Sequence, residues 1–264
     1  MHATVHDVFA ATARRTPQAE FLFTESVTAA AYGIPAGAIR WGEAAAAVER
    51  LRTAYAAAGY GHGHRVGLLL ENRPAFLLHW LALNALGVSV VPINAEMRSA
   101  ELIYLIGHSE ISLAVTLPER AADLRAAAAE AGIAFDTLEA DAVDAIPPAR
   151  SAAPRAGRPI GTDTECALLY TSGTTGRPKG CILSNAYFLC AGDWYAALDG
   201  VCSQLLGWKR SSCTRQPPAT RTTMVEKAIA FMWLSGSGVI TRSASRRMLQ
   251  TPSRAAYQSP AHRK

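Results

Sequence analysis

Acidic residues all but vanish after residue 203, and cysteine is scarce throughout the 264-residue chain. The five cysteines (Cys166, Cys181, Cys190, Cys202 and Cys213) are odd in number and contain no C-x-x-C pair. That pattern indicates neither a zinc cluster nor a disulfide framework. Reduced thiols in a cytoplasmic protein are the expectation. Long apolar runs are also lacking. The nearest, 76–91, is interrupted by His79, Asn84 and Gly87, and reads as a helix followed by a strand rather than a membrane span. The opening MHATVHDVFAATARRTP has no basic start followed by an apolar stretch, so no secretory leader is expected.

The net charge of +5 divides unevenly. Residues 1–203 hold 15 Lys and Arg against 20 Asp and Glu, whereas 204–264 hold 11 against a single acid, Glu226. The two parts are electrostatically different polymers, and the chain divides into a region 1–203 and a basic tail 204–264. Half of all residues are apolar, enough for one large domain or two small ones.

Within 1–203, helix-like and strand-like signals alternate. Helical spacing covers 5–15 and stops before Pro17, and Phe21 to Phe23 make a short strand candidate. Residues 41–58 place Val48, Leu51 and Tyr55 on one helical face and meet Gly59 as a stop. Then follow a buried strand at 65–70, a helix at 74–86 opened by proline, and a second strand at 88–93. Ser99 offers an N-cap for the next helix, a third strand covers 113–116, and a helix covers 118–132. This order predicts an α/β fold: a mainly parallel, doubly wound sheet with helices on both faces. The proline-rich stretch 147–161 has no periodicity and predicts a boundary or surface excursion.

A strand at 166–172 runs directly into YTSGTTGRPKG, residues 170–180, and a helix is expected over 184–198. Glycines let backbone N–H groups approach anionic oxygens closely, hydroxyls add donors that can also contact Mg²⁺, and lysine supplies a point charge. Several such bonds, each contributing about 1.5–3 kcal/mol, could hold a triphosphate. The stretch is not a Walker A loop, because Arg177 and Pro178 separate Gly176 from Lys179 and Gly180 stands where that motif has a hydroxyl. A ligand-free Ser/Thr/Gly turn is the plainer reading; the order and spacing argue against it.

YTSGTTGRPKG closely resembles the phosphate-binding signature of the adenylate-forming superfamily, which includes acyl-CoA synthetases, nonribosomal peptide synthetase adenylation domains and firefly luciferase. The resemblance extends upstream through WGEAAAAVERLRTAYAAAGYGHGHRVGLLLENRPAFLLHWLALNALGVSVVPINAEMRSAELIYLIGHSE and covers about residues 5–203. The VPIN segment looks most like the carnitine/crotonobetaine-CoA ligase branch. The resemblance implies an acid-thiol ligase: ATP activates a small carboxylic acid as an acyl-adenylate, and coenzyme A then takes the acyl group. It implies that Thr171, Ser172, Gly173, Thr174, Thr175, Gly176 and Lys179 line the ATP phosphates, with Thr174 and Thr175 also contacting Mg²⁺.

Two departures stand out. The family usually has Gly-Asp where this chain has GHGHRV, so His64 replaces an acid. Two histidines spaced by one could suggest a metal site, but with no third ligand in view a solvated turn is expected. His79 and His108 lie in helical segments and read as structural. After Ser203 the resemblance ends, and the family's AMP-contacting, ribose-binding and C-terminal lysine segments are not found in 204–264. A truncated ligase, inactive alone, is therefore expected, with one edge of its sheet left unpaired. The tail can be an unrelated reading frame, a disordered basic tail, or a basic segment contacting nucleic acid or acidic lipid, and the abrupt change favours the first. A non-catalytic nucleotide-binding or protein-interaction module is the alternative function.

Overall fold

The alternating apolar runs make a sheet clad on both faces in the computed structural model, which describes residues 4–171 and 178–197. The chain opens with helix α1 (Val5–Arg15), where Thr4 and Asp7 cap each other's backbone amides. Strand β1 (Glu20–Thr24), helix α2 (Ser26–Tyr32) and antiparallel strand β2 (Gly37–Arg40) form a small separate ribbon. Helix α3 (Trp41–Ala57) leads to β3 (Arg65–Leu69), α4 (Pro74–Ala85), β4 (Ser89–Pro92), α5 (Ser99–Ser109), β5 (Leu113–Thr116) and α6 (Ala121–Glu130). Strands β6 (Asp136–Glu139), β7 (Glu165–Thr171) and β8 (Lys179–Ser184) and helix α7 (Asn185–Ala197) complete the described chain.

The main sheet has the order β6-β5-β3-β4-β7-β8, parallel except for the antiparallel β7–β8 pair. Side chains alternate between its faces, as the pleat requires. Val66 and Leu68 of β3 join Phe9, Trp41, Tyr55 and Trp80 beneath α1, α3 and α4. Leu69 joins Leu102, Ile106 and Leu124 beneath α5 and α6 on the other face. Burial of each such large apolar side chain contributes about 1.5–3 kcal/mol. Helix α7 closes against the first cluster through Phe188, whose ring meets Trp80 edge-on at 5.3 Å.

Several expectations require correction. The helix expected over 118–132 divides into a 3₁₀ turn at Pro118–Arg120 and α6. The N-cap of α5 is Arg98, not Ser99: the Glu101 carboxylate accepts the Arg98 backbone N–H at 2.9 Å, which leaves Ser99 inside the first turn. Lys179–Ser184, to which the sequence pattern assigns no element before the expected helix, form strand β8, antiparallel to β7. Finally, GHGHRV is not a solvated turn. His62 is 8% exposed, its Nδ1–H donates to the Arg158 carbonyl at 3.2 Å, and its own carbonyl accepts from Arg155 N–H. His64 Nε2–H donates to the Ser151 carbonyl at 3.1 Å. Partial burial lowers the His64 pKa and keeps the ring neutral at neutral pH. The two histidines tie the proline-rich connector across the amino-terminal end of β3, which places that excursion at the opposite end of the sheet from the loop. Among the described residues no cluster of three or more His, Cys, Asp or Glu could hold a metal.

Candidate functional site

In a parallel sheet, side chains at the carboxyl ends of the strands converge on one rim, and ligands bind there. Strand β7 reaches that rim in seven residues. Cys166 to Leu169 are buried, Tyr170 is half-buried and Thr171 is exposed. Strand β8 returns from it in strict pairing: Thr171 faces Lys179, Tyr170 faces Gly180 and Leu169 faces Cys181. Directly opposed residues in an antiparallel pair share a face and sit about 5 Å apart, so the threonine hydroxyl and the lysine stem rise side by side from the hairpin mouth. Both are exposed, and among the described residues Lys179 enters no ion pair.

Of the residues expected at the phosphates, Thr171 and Lys179 are thus brought together. Ser172, Gly173, Thr174, Thr175 and Gly176 lie outside the described residues, and so does the Mg²⁺ contact expected of Thr174 and Thr175. At the same rim, after β3, Glu71 takes a left-handed backbone (φ 52°), which is strained for a non-glycine residue. The Arg73 guanidinium lies 3.7 Å from the Glu71 carboxylate and 5.3 Å from the centre of the Tyr32 ring. Sequence reasoning missed this corner, since a three-residue turn carries no periodicity.

The base of the hairpin is firmly held. Asn185, the first residue of α7, is fully buried; its Oδ1 accepts from Val5 N–H at 3.1 Å and from Asn84 Nδ2 at 2.9 Å. The Asn84 Oδ1 in turn accepts from His6 N–H at 3.0 Å. Arg65 of β3 forms a bidentate pair with Glu165 of β7 at 2.7 and 2.9 Å, which raises the arginine pKa further. The Cys166 thiol is pushed up by burial and stays protonated, whereas Cys181 and Cys190 are exposed and free. No helix among the described residues is long and apolar enough to cross a membrane.

With Thr171 and Lys179 paired at this rim, the comparison that decides the family is a model described as AMP-binding enzyme, which matches residues 9–247. The chain belongs to the AMP-binding enzyme family. Among curated relatives, a feruloyl-CoA synthase of Amycolatopsis is 36% identical over 148 residues, 56% of this chain and 28% of that protein. A crotonobetaine/carnitine–CoA ligase of Salmonella heidelberg is 30% identical over 161 residues, 57% of this chain and 31% of its own. The chain therefore spans about three-tenths of the curated relatives it matches. Its fold is that of the inhibitor-bound N-terminal domain of FACL13 from Mycobacterium tuberculosis, with a TM-score of 0.62 at 21% identity over 89% of this chain and 56% of that one.

Proposed function

We propose that this chain forms the ATP-phosphate side of an ATP-dependent acyl-CoA synthetase. The observation that carries the reading is the register pair Thr171–Lys179, which sets a hydroxyl and an ammonium side by side where a Ser/Thr/Gly loop leaves the carboxyl end of a parallel sheet. Thr171, Ser172, Gly173, Thr174, Thr175, Gly176 and Lys179 bind the phosphates of ATP, and the Thr174 and Thr175 hydroxyls serve Mg²⁺. Charge on the β- and γ-phosphates is neutralised there while a carboxylate oxygen attacks the α-phosphorus. Pyrophosphate leaves, and the thiol of coenzyme A displaces AMP from the acyl-adenylate. The relatives named above are ligases named for feruloyl and for crotonobetaine or carnitine, so the reading commits to a small carboxylic acid as a class.

The division at 203 follows the charge break, although the family match runs on to 247. Residues 204–264 carry none of the AMP-contacting, ribose-binding and catalytic-lysine segments that the resemblance implies. A polypeptide of these 264 residues accordingly binds nucleotide in the cytoplasm without completing adenylate formation, because the groups complementary to the transition state are incomplete.

Calorimetric titration with Mg-ATP tests the reading. Removing one cation from a phosphate cluster forfeits about 1.5–3 kcal/mol, so Lys179→Ala should weaken binding by roughly tenfold or more. Equal affinity in the two proteins refutes the phosphate site. Carboxylate-dependent ATP–pyrophosphate exchange by the 264-residue polypeptide refutes the inactivity.

A further inference from the structure

The residues next to Thr171 and Lys179 form a contact that the phosphate reading leaves unused. Tyr170, one residue before Thr171, lies 2.7 Å through its hydroxyl from Nδ1 of His108 on α5. The His108 ring stacks on Tyr104 one turn earlier, with centroids 5.4 Å apart and planes at 19°, and meets Tyr170 edge-on at 5.8 Å. Across the hairpin, Tyr170 pairs with Gly180, one residue after Lys179. A methyl group at Gly180 would stand 3.4 Å from Cζ of Tyr170 and 3.0 Å from Cδ1 of Leu168. The phenol ring therefore lies directly over Gly180 of the opposing strand, within van der Waals reach of a Cβ at that position.

One ring thus touches both strands at the loop's mouth, and its hydroxyl is tethered to a helix. That helix is a rigid base, because Leu102, Leu105 and Ile106 anchor α5 in the core beneath. Burial pushes the Tyr170 pKa up to about 12, so the phenol keeps its proton at neutral pH and can donate to the imidazole. The bond is not needed to bury His108, which is exposed. Its evident consequence is positional.

We propose that His108 is a positioning residue for the Thr171–Lys179 pair: it holds Tyr170 against Gly180 and thereby fixes the spacing of the two side chains. The inference rests on the phosphate reading for its functional consequence, and on the hydrogen bond and ring contacts for the clamp itself. His108→Ala removes the acceptor, and Tyr170→Phe removes the hydroxyl while keeping the ring on Gly180. Each should speed amide hydrogen exchange in fragments covering 165–171 and 178–184, and weaken Mg-ATP binding, by about twofold to tenfold. The double variant should be no worse than either single one, and His108→Gln, which retains an acceptor, should restore both readouts.

Exchange in β3 and β5 serves as the control and should not change, which separates a clamp from a general loss of stability. Unchanged hairpin exchange in both single variants overturns the clamp. Faster exchange with unchanged Mg-ATP affinity overturns the role in nucleotide binding while leaving the Lys179 result to stand or fall by itself. If the unsubstituted protein binds no Mg-ATP, the phosphate reading fails first, and the exchange rates alone decide the clamp.

Discussion

His79 should make the stability of this protein fall between pH 6.5 and 4, and the size of the fall follows from its surroundings. The ring is 1% exposed on α4. Its Nε2 lies 2.9 Å from the Ala140 carbonyl, which can only accept, so Nε2 carries the proton. Nδ1 then accepts from the Tyr55 hydroxyl at 2.8 Å. A second proton would have to displace that donor inside the core, and burial lowers the pKa from 6.5 to about 4. The folded value lies below the unfolded one, so the unfolded chain binds more protons throughout that window. Stability is complete above pH 6.5 and is lost as pH falls, by about 2 kcal/mol at pH 5 and about 3 kcal/mol at pH 4. Urea unfolding of the parent and His79→Gln near pH 7 and pH 5 isolates this group. His6 and His64, also lowered by burial, titrate in both proteins and cancel in the difference. The parent should lose about 2 kcal/mol more than the variant on acidification. Equal losses would refute the buried neutral imidazole.

Other perturbations follow from named contacts. Asn185→Ala removes the acceptor of Val5 N–H and Asn84 Nδ2 in a fully buried network, so chemical denaturation should show a loss of about 2–4 kcal/mol. A loss below 1 kcal/mol would mean that water or a relaxed backbone replaces the amide. Gly67→Ala would place a methyl 2.9 Å from Ile93 Cδ1 and 3.1 Å from Ala114 Cβ and Ile111 Cδ1. Thermal melting should register about 1–3 kcal/mol of overpacking, and an unchanged or raised melting temperature contradicts that geometry.

Much of the fold was legible because its signals are local. Helix α1 is written in the spacing of Val5, Val8 and Phe9 and in the Pro17 that follows, and β5 in the four apolar residues 113–116. The elements missed are short ones stabilised by distant partners. Strand β6 has three polar residues out of four and is a strand because β5 pairs with it; β2 depends in the same way on β1. Strand β8 is the instructive case for the site. KGCILS contains an exposed lysine and a glycine and lies beside a helical stretch, so nothing local marks it as extended. Only pairing with β7, continuous from Ala167–Leu183 to Thr171–Lys179 and shifted by one residue before Glu165–Ser184, makes it a strand.

The chemistry proposed for the loop was therefore legible in the sequence, since it depends on residue type: glycines that admit an anion, hydroxyls that donate, a lysine that neutralises. So was the doubly wound sheet, whose apolar strands and helices alternate along the chain. Tertiary structure decided where these groups stand relative to one another. The register that sets Lys179 opposite Thr171, the ring of Tyr170 laid on Gly180, and the histidines of GHGHRV turned onto the connector each join residues separated in the chain or placed by backbone pairing. Such contacts exist only once both partners have been brought together by the sheet, because periodicity reports the face a residue occupies and not the neighbour it will meet there.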